Sequence, residues 1–166
     1  MCGILGGINF KIEKSLLDLI GHRGPDRQDI KNIMIFNKLV SFAHTRLSIV
    51  DLTDAGNQPM QSECGNYEII FNGEIYNHQD LRKKISRQNF RGHSDTETIL
   101  YYIIEFGIES IRDFNGIFAF AFIDKTKGII YLARDKYGVK PLYHFCDGNK
   151  ILRSEERRVG KECRSR

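Results

Sequence analysis

Apolar residues along this chain fall into short blocks separated by Gly-, Asn- and Asp-rich breaks, the pattern of a protein rich in strands. Cys2–Phe10 is apolar with glycines at 3, 6 and 7, and reads as a strand that another backbone approaches closely. Ile33–Phe36 and Leu39–Ala43 predict a hairpin turning at Asn37-Lys38, and Tyr67–Phe71 a strand that stops at Asn72-Gly73. Ile117–Ile123, Ile129–Ala133, Leu142–Cys146 and Lys150–Leu152 predict a closing run of antiparallel strands, with turns at Asp124–Gly128 and Asp147-Gly148-Asn149. Helical spacing marks Ser15–Ile20, ended by Gly21, then Gln79–Ile85 and Thr96–Phe106. The last of these is capped by Ser94 or Asp95, with Glu97 in its first turn. Ile108–Phe114 adds a turn or two. Helices cluster between two blocks of strands and do not alternate with them, so the fold class is α+β. Two stretches stay irregular: the turn-rich His22–Asp26, and Thr45–Ser62, a loop long enough to suggest function.

Composition narrows the picture. A chain of 166 residues, 41% hydrophobic and 28% charged, suits one domain burying about 70% of its unfolded surface. No apolar run approaches the roughly 20 residues that cross a bilayer, and the first residues lack the basic stretch of a signal peptide. A cytoplasmic protein without a membrane partner is expected. Cys2, Cys64, Cys146 and Cys163 are scattered, which fits neither a metal framework nor a disulfide scaffold. The net charge of +4 comes mostly from residues 153–166, so the body is nearly neutral and no nucleic-acid partner is expected.

Cys2 is the exceptional cysteine. Removal of Met1 would make it residue one, joining a thiol to an α-amine whose pKa of about 7.7–8.0 suits proton transfer near neutrality. Acyl transfer also needs donors for a developing oxyanion, which the Asn72 amide and Gly73 N–H are able to supply. The competing reading of Asn72-Gly73 is a hairpin turn. A zwitterionic substrate needs an arginine for its carboxylate and carboxylates for its ammonium group. Arg46 sits in the long loop after a strand, and Glu74 and Asp95 sit at element ends, where they would serve, although Asp95 equally suits a helix cap. Arg134-Asp135 reads as a salt-bridged turn or as a catalytic pair.

The residues become recognisable together. Cys2-Gly3-Ile4, His22-Arg23-Gly24-Pro25-Asp26, His44-Thr45-Arg46-Leu47-Ser48-Ile49-Val50-Asp51, Phe71-Asn72-Gly73-Glu74-Ile75-Tyr76-Asn77 and Ser94-Asp95-Thr96-Glu97 occur in order. Gly116–Ala121 and Ala133–Tyr143 follow. This series is similar to the class II glutamine amidotransferase domain of asparagine synthetases. The resemblance implies an N-terminal-nucleophile hydrolase fold, two stacked antiparallel sheets flanked by helices, over residues 2–152. It implies Cys2 as nucleophile and, through its amine, as base, with Asn72 and Gly73 as the oxyanion hole. Arg46 would clamp the substrate carboxylate beside Leu47, Ser48, Ile49 and Val50, and Glu74 and Asp95 would hold the ammonium group. Glutamine would become a Cys2 thioester with release of ammonia, then glutamate, with no cofactor or metal in this domain. ATP and magnesium are expected in a synthetase domain that would follow as partner.

Two departures stand out: a helix before His22 shorter than the family's, and Asp29 where a glycine is common. Residues 153–166 resemble a sequencing-adapter read-through, so an artefactual or disordered basic tail on a truncated frame is expected. Leu142, Tyr143 and Ile151 should then be exposed, facing the missing partner. The rival class is a non-catalytic regulatory module of the same fold, and a related amidotransferase with a different ammonia acceptor is the nearer alternative.

Overall fold

Residue alternation in the strands sorts side chains into an inner layer and two outer ones, and this sorting builds the site. The computed structural model describes residues 2–49, 51–148 and 150–154. Its elements run β1 (Gly3–Ile8), α1 (Lys14–Asp18), β2 (Arg27–Ile35), β3 (Lys38–Arg46), β4 (Met60–Gln61), β5 (Tyr67–Ile75), α2 (His78–Lys84), α3 (Asp95–Phe106), β6 (Gly116–Asp124), β7 (Ile129–Arg134), β8 (Tyr143–Asp147) and β9 (Lys150–Ser154). Short 3-10 turns lie at Gly21–Arg23, Asp54–Gly56 and Ile108–Asp113. One sheet has the order β2-β3-β1-β9-β8 and the other β4-β5-β6-β7, and every pairing between these strands is antiparallel.

Ile4, Val40, Phe42, Ile70, Ala119, Ala121 and Ile123 form the layer between the sheets. Neighbouring residues point the other way, as a period of two requires. Leu5, Ala43 and Leu152 pack under Leu17 of α1, whereas Ile69, Phe71, Phe118 and Phe120 pack under Leu81 of α2 and Ile99 and Leu100 of α3. Each fully buried side chain of this size contributes roughly 1.5–3 kcal/mol. The architecture is therefore α+β, two stacked antiparallel sheets flanked by helices. The Ser94 hydroxyl caps α3 by accepting from Glu97 N at 3.2 Å, which settles the choice between Ser94 and Asp95.

Several expectations change. The strand ending at Asn72-Gly73 continues to Ile75, because the register with β6 runs unbroken from Tyr67↔Asp124 to Ile75↔Gly116. A Cβ at Gly73 would lie 2.1 Å from Ile117 O, so the glycine is what lets β6 pass. The closing strands are not one run: β6 and β7 belong to one sheet, while β8 and β9 join the other beside β1. Asp135 does not pair with Arg134. Its carboxylate instead gathers the N–H groups of Phe118, Tyr137, Val139 and Lys140 at 2.9–3.3 Å. Tyr143 is exposed, but Leu142 and Ile151 are half-buried. β9 extends past Leu152 to Ser154, and the rest of the expected tail, residues 155–166, lies outside the described residues.

Candidate active site

Three strands deliver the site by simple alternation. Cys2 lies one position beyond the last β1–β3 pair, Gly3↔Thr45, and two residues before Ile4 of the inner layer. His44 and Arg46 continue the inner row of Val40 and Phe42, and Asn72 follows Ile70. All four side chains therefore reach one end of the space between the sheets. There they line a cavity of about 200 Å³, together with Leu47, Ser48, Ile49, Gln58, Gly73, Glu74, Asp95 and Lys140. Every site residue expected from the sequence is in this lining except Val50, which lies outside the described residues.

The thiol sits against the loop after β3. Leu47 N donates to Cys2 Sγ at 3.4 Å, and Sγ lies 3.6 Å from Leu47 O. Burial pushes the thiol pKa up, opposed by the Leu47 N–H and by the Arg46 charge. Arg23 Nε donates to Cys2 O at 3.3 Å, and Asp26 accepts from Ser48 N at 2.7 Å. The His22–Asp26 loop thus ties the start of the chain to the segment after Arg46.

Arg46 is buried, and Nη1 donates to Thr53 O at 2.8 Å and Asn57 Oδ1 at 2.5 Å, while Nη2 donates to Asp51 O. Those bonds leave Nε–H and one Nη2–H for a ligand. A Cβ at Gly56 would lie 2.5 Å from Nη2, so Gly56 makes room for the guanidinium.

On β5, Asn72 is 2% exposed and its Nδ2 has no partner among the described residues. The direction of the Gly73 N–H follows from the ladder. Tyr76 N bonds Asn115 O and Lys125 N bonds Asn66 O, so even-numbered residues of β5 face β6. Odd-numbered residues face the opposite edge, where Phe71 N donates to Gln58 Oε1 at 2.6 Å and Ile75 N to Asp95 Oδ2 at 3.0 Å. Gly73 N–H lies between them on the same edge, beside the cavity.

Asp95 is 5% exposed, and burial pushes its carboxyl pKa up while the Ile75 N–H pulls it down. Glu74 is exposed at the mouth. His44 is 1% exposed, its Nε2 has no partner among the described residues, and its pKa is lowered to about 3. Burial is the main cause and Arg46 adds repulsion, against a hydrogen bond to the Phe71 backbone. The sequence reading gave no role to His44, Gln58 or Lys140. Alternation with Arg46 is the signal that would have found His44, but Gln58 has no comparable local mark.

The arrangement joins a nucleophile, two donors able to meet one oxyanion, and cationic and anionic groups suited to a small zwitterion. Among the described residues no His, Cys, Asp and Glu cluster could hold a metal, and no helix is long and apolar enough to cross a membrane.

Comparison with known proteins gives matching results. A family model described as a glutamine amidotransferase domain matches residues 1–165. The chain is 36% identical to a putative glutamine-hydrolysing asparagine synthetase 2 of Methanocaldococcus jannaschii, across 94% of this chain and 34% of that protein. It is 38% identical to asparagine synthetase B of Escherichia coli, across 99% of this chain and 31% of that protein. The chain thus spans about a third of the length of these curated relatives. Among solved structures, glutamine phosphoribosylpyrophosphate amidotransferase from B. subtilis superposes with a TM-score of 0.76 at 17% identity, covering 96% of this chain and 43% of that one.

Proposed function

This chain belongs to the glutamine amidotransferase domain family, and on that premise we propose that it hydrolyses glutamine to glutamate and ammonia through a thioester on Cys2. In a chain lacking Met1, the Cys2 α-amine takes the thiol proton as sulfur attacks the substrate carboxamide carbon. Asn72 Nδ2 and Gly73 N–H stabilise the resulting oxyanion. The carbon–nitrogen bond then breaks, the amine returns its proton to the departing ammonia, and water cleaves the thioester to glutamate. Arg46, through Nε–H and the remaining Nη2–H, receives the α-carboxylate beside Leu47, Ser48 and Ile49, while Glu74 and Asp95 receive the ammonium group. Val50 belongs to the same substrate loop on sequence grounds.

The observation that carries this reading is the unpartnered Asn72 Nδ2 in the cavity of Cys2. A buried donor left unbonded costs about 1–3 kcal/mol, which is explicable where an acceptor arrives during turnover. The glutaminase unit is assigned to residues 2–152, in a cytoplasmic setting that keeps Cys2 reduced. In a longer protein like the asparagine synthetases that it resembles, ammonia would pass to a domain using ATP and magnesium to activate aspartate. The test is incubation of the 166-residue chain with glutamine, aspartate, ATP and magnesium, measuring glutamate and asparagine separately. Glutamate without asparagine is expected. Asparagine formed in step with glutamate would overturn the assignment of the synthetase step to sequence beyond this chain, and absence of both would overturn the glutaminase reading.

A further inference from the structure

The oxyanion donors assigned above depend on one short stretch of β5, and among the described residues no strand lies on its outer edge. β4 pairs with β5 only at Ile69 and Glu68. Beyond that point side chains replace the missing strand. Gln58 is 6% exposed, and its amide is used at both ends: Oε1 accepts from Phe71 N at 2.6 Å, and Nε2 donates to Thr96 Oγ1 at 3.2 Å in the first turn of α3. A flipped amide would set donor against donor at Phe71, so this orientation is fixed. On the other side of Gly73, Asp95 Oδ2 holds Ile75 N at 3.0 Å, so Gly73 lies between two anchored N–H groups of the same edge.

We propose that Gln58 is a positioning residue for glutamine hydrolysis: by occupying Phe71 N–H it fixes the stretch of β5 whose next outward N–H, that of Gly73, is aimed together with the Asn72 side chain at a common point. The inference rests on the reading of Asn72 and Gly73 as oxyanion donors. Without Gln58 the edge would carry an unsatisfied Phe71 N–H beside Gly73. The strand would shift to find an acceptor, carrying Gly73 N–H off its target. Such a shift affects the transition state more than bound glutamine, because the oxyanion exists only as the tetrahedral state forms.

The experiment compares Gln58→Leu, Thr96→Val and Asn72→Ala in the full chain, with rates normalised to active sites counted by alkylation of Cys2. Gln58→Leu is expected to lower kcat by about tenfold to a hundredfold with KM within about twofold, the scale of a misplaced catalytic group. Thr96→Val keeps the bond to Phe71 but removes the second anchor of Gln58, so a smaller loss in kcat is expected. It decides the matter if Gln58→Leu does not fold. Unchanged kcat in the folded variant, or a rise in KM with kcat kept, would overturn the inference and make Gln58 a strut or a substrate contact. If Asn72→Ala also left kcat unchanged, the oxyanion reading itself would fail.

Discussion

The inner row of β5 meets water-excluding surroundings at two polar positions, Glu68 and Asn72, two residues to either side of Ile70, and the protein treats them in opposite ways. Glu68 is 0% exposed and lies 3.0 Å from Lys31 Nζ and 3.1 Å from Lys125 Nζ. Those lysines also bond Gln61 Oε1 and Gly65 O. Asn72 is almost equally buried, yet its Nδ2 has no partner among the described residues, and nearby His44 Nε2 is in the same condition. Burial alone therefore does not separate a structural polar group from one proposed to act in catalysis. Charge pairing does: at one end Glu68 is ion-paired with two lysines, although neither of its oxygens has a hydrogen bond of good geometry, while the other end keeps open donors and acceptors around a cavity with no such charge partner on Asn72.

The largest effects should come from the open end. Cys2→Ala is expected to reduce glutamine hydrolysis to background with little change in melting temperature, and intact mass should show active protein without Met1. Full activity with Met1 retained would remove the α-amine from the mechanism. Asn72→Ala should cost about 10²–10³ in kcat, or 2.7–4 kcal/mol, with stability held, because it deletes a group that has no partner to lose. Glu68→Gln should do the reverse. It leaves two lysines without their charge partner, so a loss of about 1–3 kcal/mol in stability is expected, with kcat per folded molecule unchanged. Both lysines keep some solvent access, which places the cost below that of a fully buried pair. If denaturant melts showed Asn72→Ala to be the destabilised variant and Glu68→Gln the inactive one, the contrast would be wrong. Arg46→Lys should mainly raise KM for glutamine, by about tenfold if one charge-assisted bond of roughly 1.5–3 kcal/mol is lost. An unchanged KM would mean that Arg46 serves only the loop carbonyls.

How far these ends were legible in the sequence differs. Cys2, Arg46, Asn72 and Asp95 were visible as residue types in ordered motifs, and the alternating strands that carry them were mostly visible too. What lay hidden depends on contacts between distant segments. Asn72-Gly73 looks locally like a chain reversal, and only the passage of β6 beside Gly73 explains a glycine inside a strand. β8 and β9 follow β7 in sequence but pair next to β1, a choice that no local pattern encodes. Gln58 looked like part of a polar turn, because it stands in for a strand that begins only at Met60. The partnership of Glu68 with lysines from β2 and the turn after β6 was equally unreadable.

The smallest expected effect on activity concerns His44, and the sign of its effect on stability follows from its surroundings. Its pKa of about 3, against an ordinary 6.5, keeps the imidazole neutral throughout the range where the enzyme would work. The pH profile of kcat/KM should therefore contain no inflection from His44. Stability is another matter. The unfolded chain takes up a proton as pH falls through 6.5, whereas the folded chain resists until about 3. The contribution is thus fully present above pH 6.5 and is lost progressively between pH 6.5 and 3. His44→Asn keeps a polar side chain at this position but cannot titrate, so its melting temperature should fall less steeply over that interval. Carboxylates such as Asp95 titrate in both proteins, and the difference between the two curves isolates the histidine. Parallel curves would show that His44 accepts its proton in the folded state, and the unpaired end of the sandwich would then be wetter and more accommodating than its geometry implies.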